Sequence, residues 1–170
     1  GAKERGESLK NAALSSGGLT QSVNARPVPQ VRVELPDFWA IPGTHNWLAV
    51  KGHLAYGLFT DNRWQRETHP EGALYSANAL YHSKAGFLRI GNEKKFPLSF
   101  IGGLEMSAQF GGEAWNVGRR TDDPTFDNSH VNMGHGFKSF WHAFIPGGSD
   151  AFDGAYLNNE GNQLGSWHFQ

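Results

Sequence analysis

LAVKGHLAYGLFT, residues 48–60, decides the fold. Leu48, Val50, Gly52, Leu54, Tyr56 and Leu58 form one alternating set, apolar or Gly throughout. The intervening set carries Lys51 and His53 among small residues. Successive side chains of a strand point to opposite faces, so this pattern predicts a strand with one apolar and one polar face. In a soluble sheet the apolar face meets a protein core; in an outer-membrane barrel it meets lipid.

The same period recurs on both sides. Upstream, Val31, Val33 and Leu35 alternate with Gln30, Arg32 and Glu34, and Pro27 and Pro29 predict a bulge or irregular edge at the start of that run. Residues 36–47, PDFWAIPGTHNW, read as a connection whose Phe38, Trp39 and Trp47 suit a membrane interface. Residues 61–79 read as a polar loop. LYHSKAGFLRIG, residues 80–91, alternates less cleanly, with Tyr81, Ser83, Ala85 and Phe87 against His82, Lys84, Gly86 and Leu88. In residues 96–112, FPLSFIGGLEMSAQFGG, one face is Leu98, Phe100, Gly102, Leu104, Met106, Ala108 and Phe110. The other is Ser99, Gly103, Glu105, Ser107 and Gln109, with Ile101 out of pattern.

This divides the chain into a polar leader (1–18), antiparallel barrel strands (19–112), a long irregular loop (113–163) and the start of a further strand (164–170). A stretch as long as the third is too long for an idle loop. Inside it Phe137, Phe140, Trp141 and Phe144 have helical spacing and Pro146-Gly147 follows, which predicts a short amphipathic helix.

Composition agrees with a many-stranded β protein. There are 22 glycines in 170 residues, about 13% against a usual 7% or so, and aromatics make up 13%. A net charge of −1 with scattered Lys and Arg excludes electrostatic capture of nucleic acid. The absence of Cys excludes a disulfide framework and Cys-based zinc sites. Mean hydropathy of −0.51 excludes a helical membrane protein but not a barrel, whose strands carry their apolar face by alternation. GAKERGESLK at the start has no apolar core of a signal peptide.

Loop lengths also alternate. The links after Leu35 and Ile90 are short and those after Thr60 and Phe110 long, as in outer-membrane barrels with short periplasmic turns and long extracellular loops. The predicted strands are long enough to cross a bilayer at a tilt. The polar set, Arg32, Glu34, Lys51, His53, Lys84, Glu105 and Gln109, then lines a hydrated lumen. A soluble periplasmic or secreted β-domain that binds or cleaves carbohydrate gives the same alternation. About five strands cannot close a lipid-spanning cylinder, for which bacterial examples start at eight, so the membrane reading makes this an internal part of a longer barrel.

Four ordered blocks carry a resemblance: residues 25–65, 80–91, 96–112 and 130–167, the last containing HVNMGHGFKSFWHAFIPGGSDAFDGAYLNNEGNQLGSW. Together they resemble the capsule assembly Wzi family of Gram-negative outer-membrane proteins. The resemblance implies a large outer-membrane β-barrel with an extracellular helical cap. It also implies lectin-like, non-catalytic handling of capsular polysaccharide at the cell surface, with no cofactor. The partners it implies are capsular polysaccharide, outer-membrane lipid and the rest of the same barrel chain.

Polysaccharide recognition needs flat aromatic faces and planar hydrogen-bonding groups. Candidates in the long loop are Trp115, Trp141, Asp150, Asp153 and Asn158, with Arg119, Arg120 and Lys138 to attract an acidic polymer. The plainer role for the aromatics is to pack the helix on the barrel, and for Asp and Asn to make turns. His130, His135 and His142 lack the spacing of helical zinc ligands, and no metal site is expected. Glu105 with Glu113 is a conceivable hydrolytic pair, but no nucleophile or phosphate-loop motif appears, and no enzyme is expected.

Overall fold

Alternation over Leu48–Leu58 produces a strand of those bounds, β2, in a computed structural model that describes residues 1–2, 14, 18–20, 26–68, 70, 73–116, 130–145 and 162–170. Its companions are β1 (Gln30–Ala40), β4 (Leu80–Ile90), β5 (Phe100–Phe110) and β8 (Asn162–Phe169). They form one sheet in the order β1-β2-β4-β5-β8, every neighbour antiparallel. A second sheet joins three short strands, β3 (Tyr75–Ala77), β6 (Glu113–Trp115) and β7 (His130–Asn132), in the order β3-β6-β7. Two helices complete the elements, α1 (Trp64–Thr68) and α2 (Phe137–Phe144). The chain is mainly β and antiparallel, as expected.

Three segments depart most from the sequence reading. β1 runs on through Pro36 to Ala40, so the first half of the expected connection is strand. Pro36 is tolerated because β1 is an edge strand and its register with β2 shifts between Leu35 and Trp39, where no ladder N–H is required of the proline. The polar stretch 61–79 contains α1 and β3. Asp61 starts α1 by accepting from the backbone N–H groups of Arg63 and Gln65 at 2.9 and 3.1 Å. The segment after Glu113 contains β6 and β7 as well as the expected helix.

Both short connections, residues 41–47 and 91–99, lie at one end of the main sheet and are tied together. Asn92 donates to the His45 carbonyl at 3.0 Å, and the Gly91 N–H donates to the Trp47 carbonyl at 2.9 Å. The connections that follow β2 and β5 leave from the opposite end, which carries the second sheet and both helices. Gly112 makes the passage from β5 to β6 possible: its φ is +88°, and a Cβ there would stand 2.7 Å from the Ala77 carbonyl oxygen.

Candidate functional site

Register fixes which side chains share a face. On one face lie the rows Val33–Leu54–Lys84–Met106, Leu35–Gly52–Gly86–Leu104–Trp167 and Trp39–Val50–Leu88–Gly102–Phe169. On the other lie Glu34–His53–Ala85–Glu105–Ser166 and Arg32–Ala55–Ser83–Ser107. The burial is the reverse of a soluble sheet. On the apolar face Val31 and Val33 are 78% and 75% exposed, and Leu35, Trp39, Leu54, Leu88, Ile90, Phe100, Trp167 and Phe169 are exposed as well. On the polar face Ser83 and Glu105 are 0% and 1% exposed, and His53 and His168 are also buried.

Burying polar groups is costly, and this face holds several close polar pairs. His53 Nε2 and Ser83 Oγ are 2.7 Å apart. His168 Nε2 stands 3.8 Å from a Glu105 oxygen, its ring edge-on to Phe87. Arg32 pairs with Glu34. Lys51 and Arg89 both lie over the Phe38 ring, 5.9 and 5.2 Å from its centroid. Towards its margins this face opens: Glu34 and Gln109 are exposed.

The apolar face carries exposed aromatic residues at one end and helix-covered ones at the other. Trp39, Phe100 and Phe169 lie toward the short-turn end, with Phe100 and Phe169 ring centroids 6.2 Å apart, and Trp167 stands near mid-sheet opposite Leu104. At the opposite end Tyr56, His82 and Phe110 receive α2. Phe140 packs 5.3 Å from the Tyr56 ring and 5.2 Å from Phe110, and Phe144 lies edge-on to His82. The helix is also tied by hydrogen bonds. The Tyr56 hydroxyl donates to the Phe140 carbonyl at 3.2 Å, and Lys84 Nζ donates to the Phe144 carbonyl while lying over the Phe144 ring. His82 Nδ1 in turn donates to the Ala55 carbonyl at 3.0 Å.

Of the residues expected to line a lumen, Arg32, Glu34, Lys51, His53, Glu105 and Gln109 share the polar face. Lys84 does not. It stands between Leu54 and Met106 on the apolar face, because β4 pairs in a register that puts Ser83 and Ala85, not Lys84, beside His53 and Glu105. The alternation of residues 80–91 was ambiguous in the sequence because small residues occupy one set and two polar ones the other.

Of the polysaccharide candidates, Arg119, Arg120, Asp150, Asp153 and Asn158 lie outside the described residues. Trp115 stands in a cross-strand row with Tyr75 on one side and His130 on the other. Its ring is stacked 3.8 Å from His130 and runs parallel to Tyr75 at 6.3 Å, so protein rings flank it on both sides within the second sheet, and not against the helix. His130 Nε2 is 3.6 Å from a Glu113 carboxylate oxygen. Glu105 and Glu113 belong to different sheets. Lys138 and Trp141 sit together on α2, both exposed. Among the described residues no three His, Asp or Glu side chains form a set that could hold a metal ion.

The residues missed by sequence reasoning are Tyr56, His82 and Tyr75. Nothing local marks them; each acquires its partners through strand pairing. Comparison with protein-family models, curated proteins and solved structures finds no match.

Proposed function

We propose that this chain forms one wall of an outer-membrane β-barrel, with its apolar face toward lipid and its polar face toward an interior that is packed at the centre of this sheet and hydrated at its margins. The observation that carries the reading is the inverted burial: exposed Val31, Val33, Leu54 and Leu88 on one face, buried His53, Ser83 and Glu105 on the other. In water such a sheet loses the burial free energy of its apolar side chains, worth about 1.5–3 kcal/mol each. In lipid it does not.

Dimensions agree. An 11-residue strand is about 33 Å long, and at a tilt of about 40° it crosses about 25 Å, the height of the apolar band of such barrels. The exposed aromatic residues at the short-turn end, Trp39, Phe100 and Phe169, match an interfacial girdle. A wholly antiparallel cylinder of at least eight strands needs more than the five of this sheet. For the finer role we follow the resemblance to the capsule assembly Wzi family: attachment or organisation of capsular polysaccharide at the cell surface, without catalysis.

Fractionation of an encapsulated Gram-negative cell expressing the protein tests the first part. Recovery with the outer membrane, released only by detergent, is expected; recovery in the soluble fraction removes the barrel reading and leaves a soluble carbohydrate-binding β-domain. Loss of capsule from cells to medium when the protein is deleted tests the second part.

A further inference from the structure

α2 is apolar around most of its circumference, and its three sides have different neighbours. Ser139, Phe140, Ala143 and Phe144 face the sheet, two of them fully buried. Phe137, Trp141 and Ile145 follow one another at four-residue spacing along a second stripe and are 85%, 50% and 46% exposed. Lys138 and His142, one turn apart, form the third side. A helix in water with this pattern leaves three large apolar side chains uncovered.

Its place on the sheet says what covers them. α2 lies on the same face as the exposed Val31, Val33 and Leu54, at the end where the long connections gather. Its outer stripe therefore extends an apolar surface that already exists. Two of its last four carbonyls, those of Trp141 and Phe144, have donors other than water, as does that of Phe140 one residue earlier. Phe144 accepts from Lys84 and Phe140 from Tyr56, both donors reaching up from the sheet, and Trp141 accepts from the Ile145 N–H at 2.8 Å.

We propose that α2 is an interfacial helix lying between the sheet and the lipid, its Phe137–Trp141–Ile145 stripe seated where acyl chains meet headgroups and its Lys138–His142 side turned to water. The partner is the lipid surface. The helix is thus a flank of the wall, not a cover over its interior as the extracellular cap of the family resemblance implies. This inference rests on the reading that the apolar sheet face meets lipid.

The chain has no native cysteine, so single spin labels report local environment directly. The protein is reconstituted in phosphatidylethanolamine–phosphatidylglycerol vesicles with a label at Trp141→Cys, at Ile145→Cys, at Lys138→Cys, or at Val33→Cys on the sheet. Collision with oxygen and with a water-soluble nickel chelate is then measured for each. The expected result is oxygen-favoured collision at 141 and 145, shallower than at 33, and nickel-favoured collision at 138. Oxygen-favoured collision at 33 with nickel-favoured collision at 141 and 145 overturns the interfacial helix and leaves the barrel standing. Nickel-favoured collision at all four positions overturns both. Labels at 141 and 145 shielded from both reagents mean a protein segment covers the stripe, and overturn the lipid contact.

Discussion

Lys84, set between Leu54 and Met106 on the apolar face, gives its ammonium to the carbonyl oxygen of Phe144, the last residue of α2. A charge on an apolar face is costly, and the end of a helix offers carbonyls that nothing inside the helix satisfies. Each group resolves the other's deficit. Cations are also favoured at helix C-termini.

Lys84→Met keeps the length of the side chain and removes the tie. A hydrogen bond to a charged group contributes about 1.5–3 kcal/mol, so backbone amides of α2 should exchange about 10- to 150-fold faster. Those of β4 and β5 should be unchanged, because an apolar residue suits that face. Unaltered exchange in α2 would show that ring packing alone holds the helix.

A lysine scan along β2 measures what the apolar face meets. Leu54 is near mid-strand, and Leu48 and Leu58 are its ends. Against lipid, Leu54→Lys should cost about 2–4 kcal/mol and the terminal substitutions about 0–1 kcal/mol. Unfolding from detergent or vesicles by urea reads the differences. A flat profile along the strand would sink the lipid assignment.

Strand placement was legible wherever one face is uniformly apolar, as in Leu48–Leu58, since a one-residue slip there moves every apolar side chain to the wrong side. It was less legible in residues 80–91, where His82 and Lys84 occupy the apolar face. Their acceptance depends on α2, some sixty residues downstream, and no local period encodes that. Trp115 was legible as an aromatic in a long segment but not as the centre of a row, because Tyr75 and His130 reach it only through strand pairing. The helix itself was legible from its spacing; which side of the sheet it lies on was not.

Ser83→Ala tests whether the polar face is dry at its centre. Ser83 is fully buried and its hydroxyl lies 2.7 Å from His53 Nε2. Removing one partner of a buried hydrogen bond costs about 1–3 kcal/mol when water cannot replace it. A urea midpoint shifted down by a corresponding amount is expected. A loss below about 0.3 kcal/mol would mean that water reaches His53 and fills the gap.

Two glycines side by side on adjacent residues of the ladder should respond with opposite sign. Phe87 pairs with Gly103, and Gly86 with Leu104. A Cβ on Gly103 would stand 2.3 Å from Phe87 Cδ1 and 2.4 Å from the Gly86 carbonyl oxygen. The ring can turn, but the carbonyl belongs to a strand paired on both edges and cannot. Gly103→Ala should therefore cost about 1–3 kcal/mol, as overpacking does elsewhere. A Cβ on Gly86 meets nothing within 4 Å, because it points from the exposed apolar face. Gly86→Ala should stabilise by about 0.4–1 kcal/mol, through the reduced freedom of the unfolded chain. Parallel urea unfolding of the two variants compares them directly. Equal losses would mean that strand glycines matter here for backbone freedom, and that close approach on the polar face does not select Gly103.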